Sequence, residues 1–213
     1  MVRSAYTSAL LLVWFGKLGA QGCDSRRAQA GDSSVDLAPP RGYIEVCSLD
    51  RQLCQLLTAG YPPSVVTLGY FADTADWNAF RKDSSVGFKH YLIAQLTTMS
   101  PQQLAGFKQY LHSQQGNIPD HSRLPSVLAA QGRVSLGILG ETSTSISFGT
   151  VMSAKPVTTA TADPIVLVAT NTAAVFKNHI FSLYVFRDYQ GEADIDSTKA
   201  ITQTWLGCLT GAN

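Results

Sequence analysis

The chain has 213 residues, which suits one domain with a substantial core, because a domain of this size buries roughly 70% of the surface that its unfolded chain exposes. Lys and Arg number 16 against 15 Asp and Glu, and charged residues make up only 15% of the chain. This balance excludes the strongly basic surface that nucleic-acid or anionic-membrane binding usually requires, so no nucleic-acid partner is predicted. The hydrophobic fraction of 45%, with 17 Gly and nine Pro, is ordinary for a globular protein and excludes a chain that is disordered or fibrous throughout.

Residues 1–22 have the composition of a secretory signal peptide. Arg3 precedes the apolar run Ala9–Phe15, and small residues follow up to Gly22. The run is too short to span a bilayer, which needs about 20 apolar residues, so no transmembrane segment is predicted in the mature chain. We therefore predict a periplasmic or secreted protein. Lys17 departs from the pattern, and an uncleaved anchor or a buried helix is the alternative.

Cys23 follows this leader directly and raises the alternative of a lipoprotein that is anchored to the membrane through an acylated thiol. A bacterial lipobox prefers Leu at the position that Ala20 occupies here, and the nearest Leu is Leu18. An unmodified Cys23 is therefore favoured, with lipidation as the alternative.

Residues 23–41 are expected to form a flexible tether. Ser, Ala, Gly, Asp and Pro predominate from Asp24 to Arg41, and the segment ends in two consecutive prolines. Because it has hardly an apolar anchor, we expect the folded domain to begin near Gly42 and to comprise residues 42–213.

The first half of this domain is predicted to alternate short strands and helices. In chain order, the expected elements are a strand at Tyr43–Cys47, a helix capped by Ser48 and running from Leu49 to about Thr58, a strand at Ser64–Phe71, a brief helix capped by Asp73 or Thr74, and a strand at Val86–Leu96. The last is assigned from its residue types, since the hydrophobic period alone does not exclude a helix there.

The middle of the chain carries the clearest local signal, a helix start at Ser100. Pro101 occupies the first helical position, and Gln103 can reach back to the amide of the Ser cap. The predicted elements that follow are a helix to about Ser113, a Pro-containing loop at Asn117–Leu128, and a hairpin of the strands Arg133–Leu139 and Ser143–Met152. A turn of helix after Pro125 is the alternative for part of this loop.

The C-terminal stretch reads as strand, tight turn, strand and helix. Val, Ile, Phe, Tyr and Thr fill Ile165–Phe176 and Ile180–Tyr189, and the polar break between them contains Asn178, which tolerates the positive φ of a short turn. After Gly191 the apolar period changes to three and four, which predicts an amphipathic helix. Its buried stripe is predicted to contain Ile195, Thr198, Ile201, Thr202, Trp205, Cys208 and Leu209. Together the elements predict an α+β fold, an antiparallel sheet with helices packed on it and a C-terminal hairpin followed by an amphipathic helix.

This last part, Val166 to Leu206, with its short polar turn and a terminal helix bearing Trp205, resembles the C-terminal half of PsbP-like exported proteins. More broadly the chain resembles uncharacterised exported proteins of Gram-negative bacteria. PsbP-like proteins are mostly non-catalytic binding or assembly factors, and the resemblance implies that role here.

Cys47 and Cys54 are predicted to form a structural disulfide, which an oxidising compartment would permit. One uninterrupted helix from Ser48 would place them roughly 9 to 10 Å apart at about 1.5 Å per residue, beyond the reach of a disulfide. The bond therefore requires the strand to fold back or the helix to begin later than Ser48. The alternative is two buried free thiols.

The four histidines do not predict a metal site, because no two of them have the spacing of a helical metal-binding pair. His90 and His112 are expected to be structural, and His179 to be solvated in the hairpin turn. No cofactor motif occurs, and no cofactor is predicted.

One polar cluster, Asp120-His121-Ser122-Arg123, lies in the Pro-bounded loop and is the candidate contact for a ligand or partner. Adjacent Asp, His and Ser side chains usually diverge and do not make a nucleophilic triad, so no catalytic residue is assigned. The polar hairpin tip Glu141–Ser145 is expected to be merely exposed. The sequence thus favours an exported, non-enzymatic binding or accessory protein with an unknown protein or small-molecule partner. The alternative is an exported hydrolase that uses Asp120 and His121.

Overall fold

The computed structural model describes residues 22–115, 124–154 and 165–213. Their main feature is a seven-stranded sheet in which neighbouring strands are antiparallel. A separate two-stranded hairpin and several helices pack on this sheet. The predicted α+β class, with helices on an antiparallel sheet, is confirmed.

The elements are named here in chain order. The strands are β1 (Arg27–Ala30), β2 (Ser33–Asp36), β3 (Tyr43–Glu45), β4 (Val66–Asp73), β5 (Tyr91–Leu96), β6 (Arg133–Glu141), β7 (Ser145–Ala154), β8 (Ile165–Phe176) and β9 (His179–Asp188). The helices are α1 (Val46–Leu49), α2 (Arg51–Thr58), α3 (Thr74–Lys82), α4 (Gln103–Gln114), α5 (Leu124–Gln131) and α6 (Glu192–Ala212). The order across the large sheet is β3-β4-β5-β9-β8-β7-β6, and β1 pairs with β2.

The β8–β9 hairpin is joined by a turn of two residues. Lys177 and Asn178 both have positive φ, 47° and 63°, which is the backbone that a tight hairpin turn requires. Phe176 therefore pairs directly with His179, which is the first residue of β9 and not part of the turn. The turn predicted at Asn178 is confirmed.

Both faces of the sheet are covered by other elements, as the side chains of β9 show. Phe181 and Leu183 share a core with Trp205 of α6, whereas Ile180 packs with Leu104 of α4. This is the alternation that a strand imposes on successive side chains. The side that carries α5, α6 and the β1–β2 hairpin is called the α6 face, and the side that carries α1 to α4 is called the α4 face.

Helix α6 begins where the carboxylate of Asp194 accepts hydrogen bonds from the amides of Gln190 and Gly191, at 2.8 and 3.1 Å. These bonds satisfy amides that the first helical turn leaves unpaired. The predicted stripe is buried, with Ile201 only half-buried at its edge. None of the helices in the described ranges is both long and apolar enough to cross a membrane.

The expectation of a flexible tether at residues 23–41 is wrong. This segment contains the β1–β2 hairpin. The side chains of Ala30, Val35 and Leu37 are at most 1% exposed and lie in the core that α6 shares with the sheet. Its few apolar side chains converge on one side of the hairpin, so they anchor it although they are sparse in the sequence. The folded domain therefore includes residues well before Gly42.

Cys23 is bonded to Cys208 of α6, with 5.9 Å between the two Cα atoms. This disulfide joins positions that are 185 residues apart. The sulfur that lipidation would acylate is already engaged in it, so the structure contradicts the lipoprotein alternative at Cys23.

The predicted Cys47–Cys54 disulfide is present, with 4.8 Å between the Cα atoms. The helix expected from Ser48 onward is in fact two helices, because Asp50 has an extended backbone between α1 and α2. Glu45, not Ser48, caps α1, and the Asp50 carboxylate accepts from the amide of Leu53 to cap α2. This break folds the chain back and brings the two thiols together.

Other predicted elements are present with altered limits. The strand expected at Val86–Leu96 begins only at Tyr91, because the Asp76 carboxylate binds the amides of Lys89 and His90 in an irregular segment before it. At the start of α4, the Gln103 side chain accepts from the Ser100 amide at 2.7 Å, as predicted. The helix α5 forms where a loop had been expected, with a turn of helix after Pro125 as the alternative.

Candidate functional site

Two adjoining cavities lie on the α6 face between α6 and the tip of the β6–β7 hairpin. One has a volume of about 160 Å³ and the other about 480 Å³, and both are lined by Thr142, Ser145 and Leu206. Because they share these walls, they form one depression, here called the α6 groove. The smaller cavity is its enclosed end, and the larger one extends past Phe176 towards Gly211.

The floor of the enclosed end consists of buried hydroxyl side chains. Among the buried polar side chains of the described residues, all except Gln95 are Ser or Thr from β7, β8 and α6. They are Ser145, Ser147, Thr170, Thr172, Thr198 and Thr202. Four of them, at 145, 147, 170 and 202, line the cavity. Burial of a hydroxyl costs free energy unless it is hydrogen-bonded, so each of these hydroxyls requires a hydrogen-bond partner.

The hydroxyls are satisfied largely by one another. Ser147 and Thr172 lie directly opposite on β7 and β8, and their oxygens are 2.7 Å apart. The oxygens of Thr170 and Thr202 are 2.5 Å apart, and Thr202 also donates to the carbonyl of Thr198. These bonds hold α6 against the sheet through polar contacts beside the apolar core.

The rest of the lining combines apolar and polar side chains. Leu139 of β6 and Leu206 of α6 are its apolar side chains, and the half-buried Lys199 and the exposed Gln203 are among its polar ones. Gly149 on β7 makes room for the Leu139 side chain, because a Cβ at position 149 would lie 2.6 Å from Leu139 Cδ1. The enclosed end thus combines apolar side chains with polar groups, as small-molecule sites do.

The hairpin tip that borders the groove is held from the other side by α4. His112 Nε2 lies 2.8 Å from Glu141 Oε2, and Lys108 Nζ lies 3.3 Å from the other carboxylate oxygen and also donates to the carbonyls of Thr142 and Ser143. The hydrogen bond with His112 lowers the pKa of Glu141, and Lys108 adds to the effect against a smaller opposing influence of desolvation. The tip Glu141–Ser145 is therefore not merely exposed, because Ser145 is buried and the backbone is tied down.

A third cavity, of about 360 Å³, lies beside the Cys47–Cys54 disulfide, between α2 and the start of β4. Glu45 at its wall already pairs with Arg26 at 2.9 Å and caps α1. Its remaining lining comes from the segment around Tyr61 and from Thr67 to Gly69. This cavity lacks the buried, paired hydroxyls of the α6 groove, which therefore remains the candidate site.

The residues that the sequence singled out do not lie in the α6 groove. Asp120, His121, Ser122 and Arg123 fall outside the described residues, so their role as a ligand contact, and the hydrolase alternative, stay predictions. The signal peptide prediction also concerns residues that are almost all outside the described ranges. Within the described part of the chain, no cluster of three His, Cys, Asp or Glu side chains is placed to hold a metal ion.

Among the histidines of the described ranges, two have carboxylate partners. His90 Nδ1 lies 3.3 Å from Asp76 Oδ2, and His112 pairs with Glu141. Burial tends to raise the pKa of Asp76, but the hydrogen bonds from His90 and Lys89 outweigh it and leave that pKa below its usual value. Both pairs join neighbouring elements and fit the structural role predicted for these histidines.

Sequence reasoning missed the groove because its residues are Ser, Thr, Leu and Lys scattered between Leu139 and Leu206. Thr198 and Thr202 were recognised as part of the α6 stripe, but their partners on β8 were not. An excess of Thr at sheet positions that face a helix is the signal that could have found it.

No known protein family matches this chain, and no curated protein matches it. Among solved structures, it is similar to the Ran-binding protein Mog1p of Saccharomyces cerevisiae, with 11% identity over 89% of this chain and 94% of that chain and a TM-score of 0.42. It is also similar to a point mutant of protein Mog1, with the same identity and coverage and a TM-score of 0.40. Likeness at this level carries no conclusion about the present chain. The resemblance to PsbP-like proteins stays a prediction.

Proposed function

We propose that this chain is an exported, non-enzymatic binding protein that holds its ligand in the α6 groove. The observation that supports this most directly is the enclosed end of the groove, where the apolar side chains of Leu139 and Leu206 line the same cavity as four buried hydroxyl side chains. Polar side chains are rarely buried without a reason, and here they line a cavity instead of filling the core. The occupant is a small molecule or a side chain of a partner protein.

Export is supported by the two disulfides together with the leader-like residues 1–22. Disulfides persist in oxidising compartments and are rare in the cytosol, and all four cysteines of this chain are paired. Intact-mass measurement of the native protein tests this part. We expect a mature chain that begins close to Cys23 and carries two disulfides and no acyl groups. A mass that retains Met1 through Gln21 would refute cleavage.

The binding function is tested by filling the cavity. Leu206→Trp places an indole in the enclosed end, and Leu56→Trp is the matched control, because Leu56 is 50% exposed on α2. Thermal unfolding is measured for both variants and the native sequence with a panel of sugars, amino acids and short organic acids. A ligand that binds only the folded state raises the midpoint, and the rise grows with the ratio of the ligand concentration to its Kd.

We expect at least one class in the panel to stabilise the native sequence and Leu56→Trp but not Leu206→Trp. Circular dichroism of Leu206→Trp confirms that it is folded. Stabilisation that survives in Leu206→Trp, or no stabilisation by any class, contradicts the proposal.

A further inference from the structure

The enclosed end of the α6 groove has uncommitted hydrogen-bond donors. Thr142 and Ser145 share one hydrogen bond of 2.8 Å, and Ser147 and Thr172 share one of 2.7 Å. Each pair contains two hydroxyl hydrogens, and a single bond between them uses only one. Thr172 is fully buried whereas Ser147 lines the cavity, so donation from Thr172 leaves the Ser147 hydrogen available to a ligand.

The contact between Thr170 and Thr202 is closed to a ligand. The hydrogen of Thr202 is used on the Thr198 carbonyl at 2.8 Å, so the 2.5 Å contact between Thr170 and Thr202 takes the hydrogen of Thr170. Thr170 has no exposed surface, so its oxygen is not available either. Ser147 accepts from Thr172 and keeps a second lone pair beside its free hydrogen, so this one side chain offers an acceptor and a donor, which is the pattern that a ligand hydroxyl matches.

The cavity lining contains one cation that has no carboxylate partner among the described residues. Lys199 is half-buried in the lining and makes no ion pair within the described ranges, not even with Asp196 on the same helix. The carboxylate in the lining, Glu141, is already shared between His112 and Lys108. An ammonium without a carboxylate beside a donor-rich cavity favours an anionic ligand with acceptor oxygens.

The size of the enclosed end limits what can enter. Its volume is about 160 Å³, which corresponds to roughly five to seven non-hydrogen atoms, since a water molecule takes up about 30 Å³ of the liquid. We propose that the enclosed end binds a short hydroxycarboxylate, with its carboxylate on Lys199, its carbon chain against Leu139 and Leu206 and its hydroxyl on Ser147. This inference rests on the binding function proposed above.

The test is calorimetric titration of the full mature chain with lactate, propionate and lactamide. Propionate lacks the hydroxyl, and lactamide lacks the charge. We expect lactate to bind most tightly, because of the three probes only lactate has both a carboxylate for the ammonium and a hydroxyl for the buried hydroxyl side chains. Lys199→Met should weaken lactate binding tenfold or more, as the loss of a charged hydrogen bond does, while the exposed Lys82→Met, which removes the same charge from α3, leaves it unchanged.

Ser147→Ala removes the hydroxyl that is proposed to contact the ligand hydroxyl. The expected result is loss of the preference for lactate over propionate, a ratio that a general loss of stability would not change. Equal weakening by Lys199→Met and Lys82→Met, or an unchanged ratio in Ser147→Ala, overturns the proposal.

The failure of this inference can be distinguished from failure of the binding function. If none of the three probes binds but Leu206→Trp blocks another ligand of the panel, the ligand class is wrong and the binding function stands. If lactate binds equally well to Leu206→Trp, the groove is not its site, and this inference is wrong.

Discussion

The indole Nε1 of Trp205 donates a hydrogen bond of 2.7 Å to the carbonyl oxygen of Leu37. Both residues have no exposed surface, and the bond joins the last helix of the chain to the segment that follows the β1–β2 hairpin. The Cys23–Cys208 disulfide links α6, one helical turn further along, to the segment that precedes the same hairpin. The N-terminal hairpin is therefore part of the core and not an appendage.

Truncation of Trp205 should strongly destabilise the protein. Its ring packs edge-on against Phe71, with 6.2 Å between ring centroids, and it is fully buried in the core around α6. Trp205→Ala should lower the free energy of unfolding by about 3 to 5 kcal/mol, the usual cost of removing a large buried aromatic side chain. Equilibrium unfolding in guanidinium measures this. A loss below about 1 kcal/mol would contradict the packing, and the exposed Thr204→Ala is the control.

The milder variant Trp205→Phe separates packing from hydrogen bonding. It retains most of the buried ring but leaves the Leu37 carbonyl without its donor. We expect a cost of about 1 to 3 kcal/mol, the penalty for an unpaired buried polar group.

The two disulfides should differ in their contribution to stability. In the chain-entropy account, the stabilisation grows with the logarithm of the loop that the bond closes, which is 185 residues for Cys23–Cys208 and seven for Cys47–Cys54. Replacing the first pair by Ser should cost about 5 kcal/mol, and replacing the second pair about 2 kcal/mol. Denaturant unfolding of the two double variants gives the comparison.

Peptide mapping without reduction tests the pairing itself. The expected fragments join Cys23 to Cys208 and Cys47 to Cys54. A peptide that links Cys47 or Cys54 to Cys208 would contradict the structure.

Asp76 should make stability depend on pH in the acid range. Its carboxylate accepts from the amides of Lys89 and His90 at 2.7 and 2.6 Å, and its pKa in the folded protein lies below the ordinary value of 3.8. A lowered pKa contributes stability above pH 3.8 that is lost as the pH falls through the folded pKa. Asp76→Asn should therefore cost about 1 to 2 kcal/mol at neutral pH.

The difference in the free energy of unfolding between the native sequence and Asp76→Asn should become smaller below pH 3.8. Urea unfolding at several pH values measures it, with the exposed Asp196→Asn as the matched control. A difference that does not change with pH would rule out the proposed role of the Asp76 carboxylate.

Gln95 should be dispensable for stability. Its side chain is 5% exposed in β5, and its Nε2 atom has no hydrogen-bond partner among the described residues. A buried donor without a partner costs about 1 to 3 kcal/mol, so Gln95→Leu should leave stability unchanged or raise it. Thermal unfolding tests this. Marked destabilisation by Gln95→Leu would show that the amide has a partner, and Gln95→Ala measures the separate cost of a cavity.

Features that depend on neighbouring residues were accessible from the sequence. The turn at Asn178 follows from the polar residues between two β-branched runs, and the α6 stripe follows from apolar residues at helical spacing. The bond between Ser100 and Gln103 is likewise encoded within one turn of chain. In each case the interacting groups are close in sequence, so the local pattern is sufficient to predict them.

The tertiary structure alone decided what residues 23–41 do and where the candidate site lies. Val35 and Leu37 are too few to make an amphipathic pattern, and they become core residues only because α6 and β4 meet the hairpin. Thr170 and Thr202 are 32 residues apart, and their contact depends on how α6 crosses β8. The role of such scattered side chains depends on partners that are distant in the sequence, and local periodicity contains no information about those partners. This is the physical reason why the sequence pointed to the loop at Asp120 and not to the α6 groove.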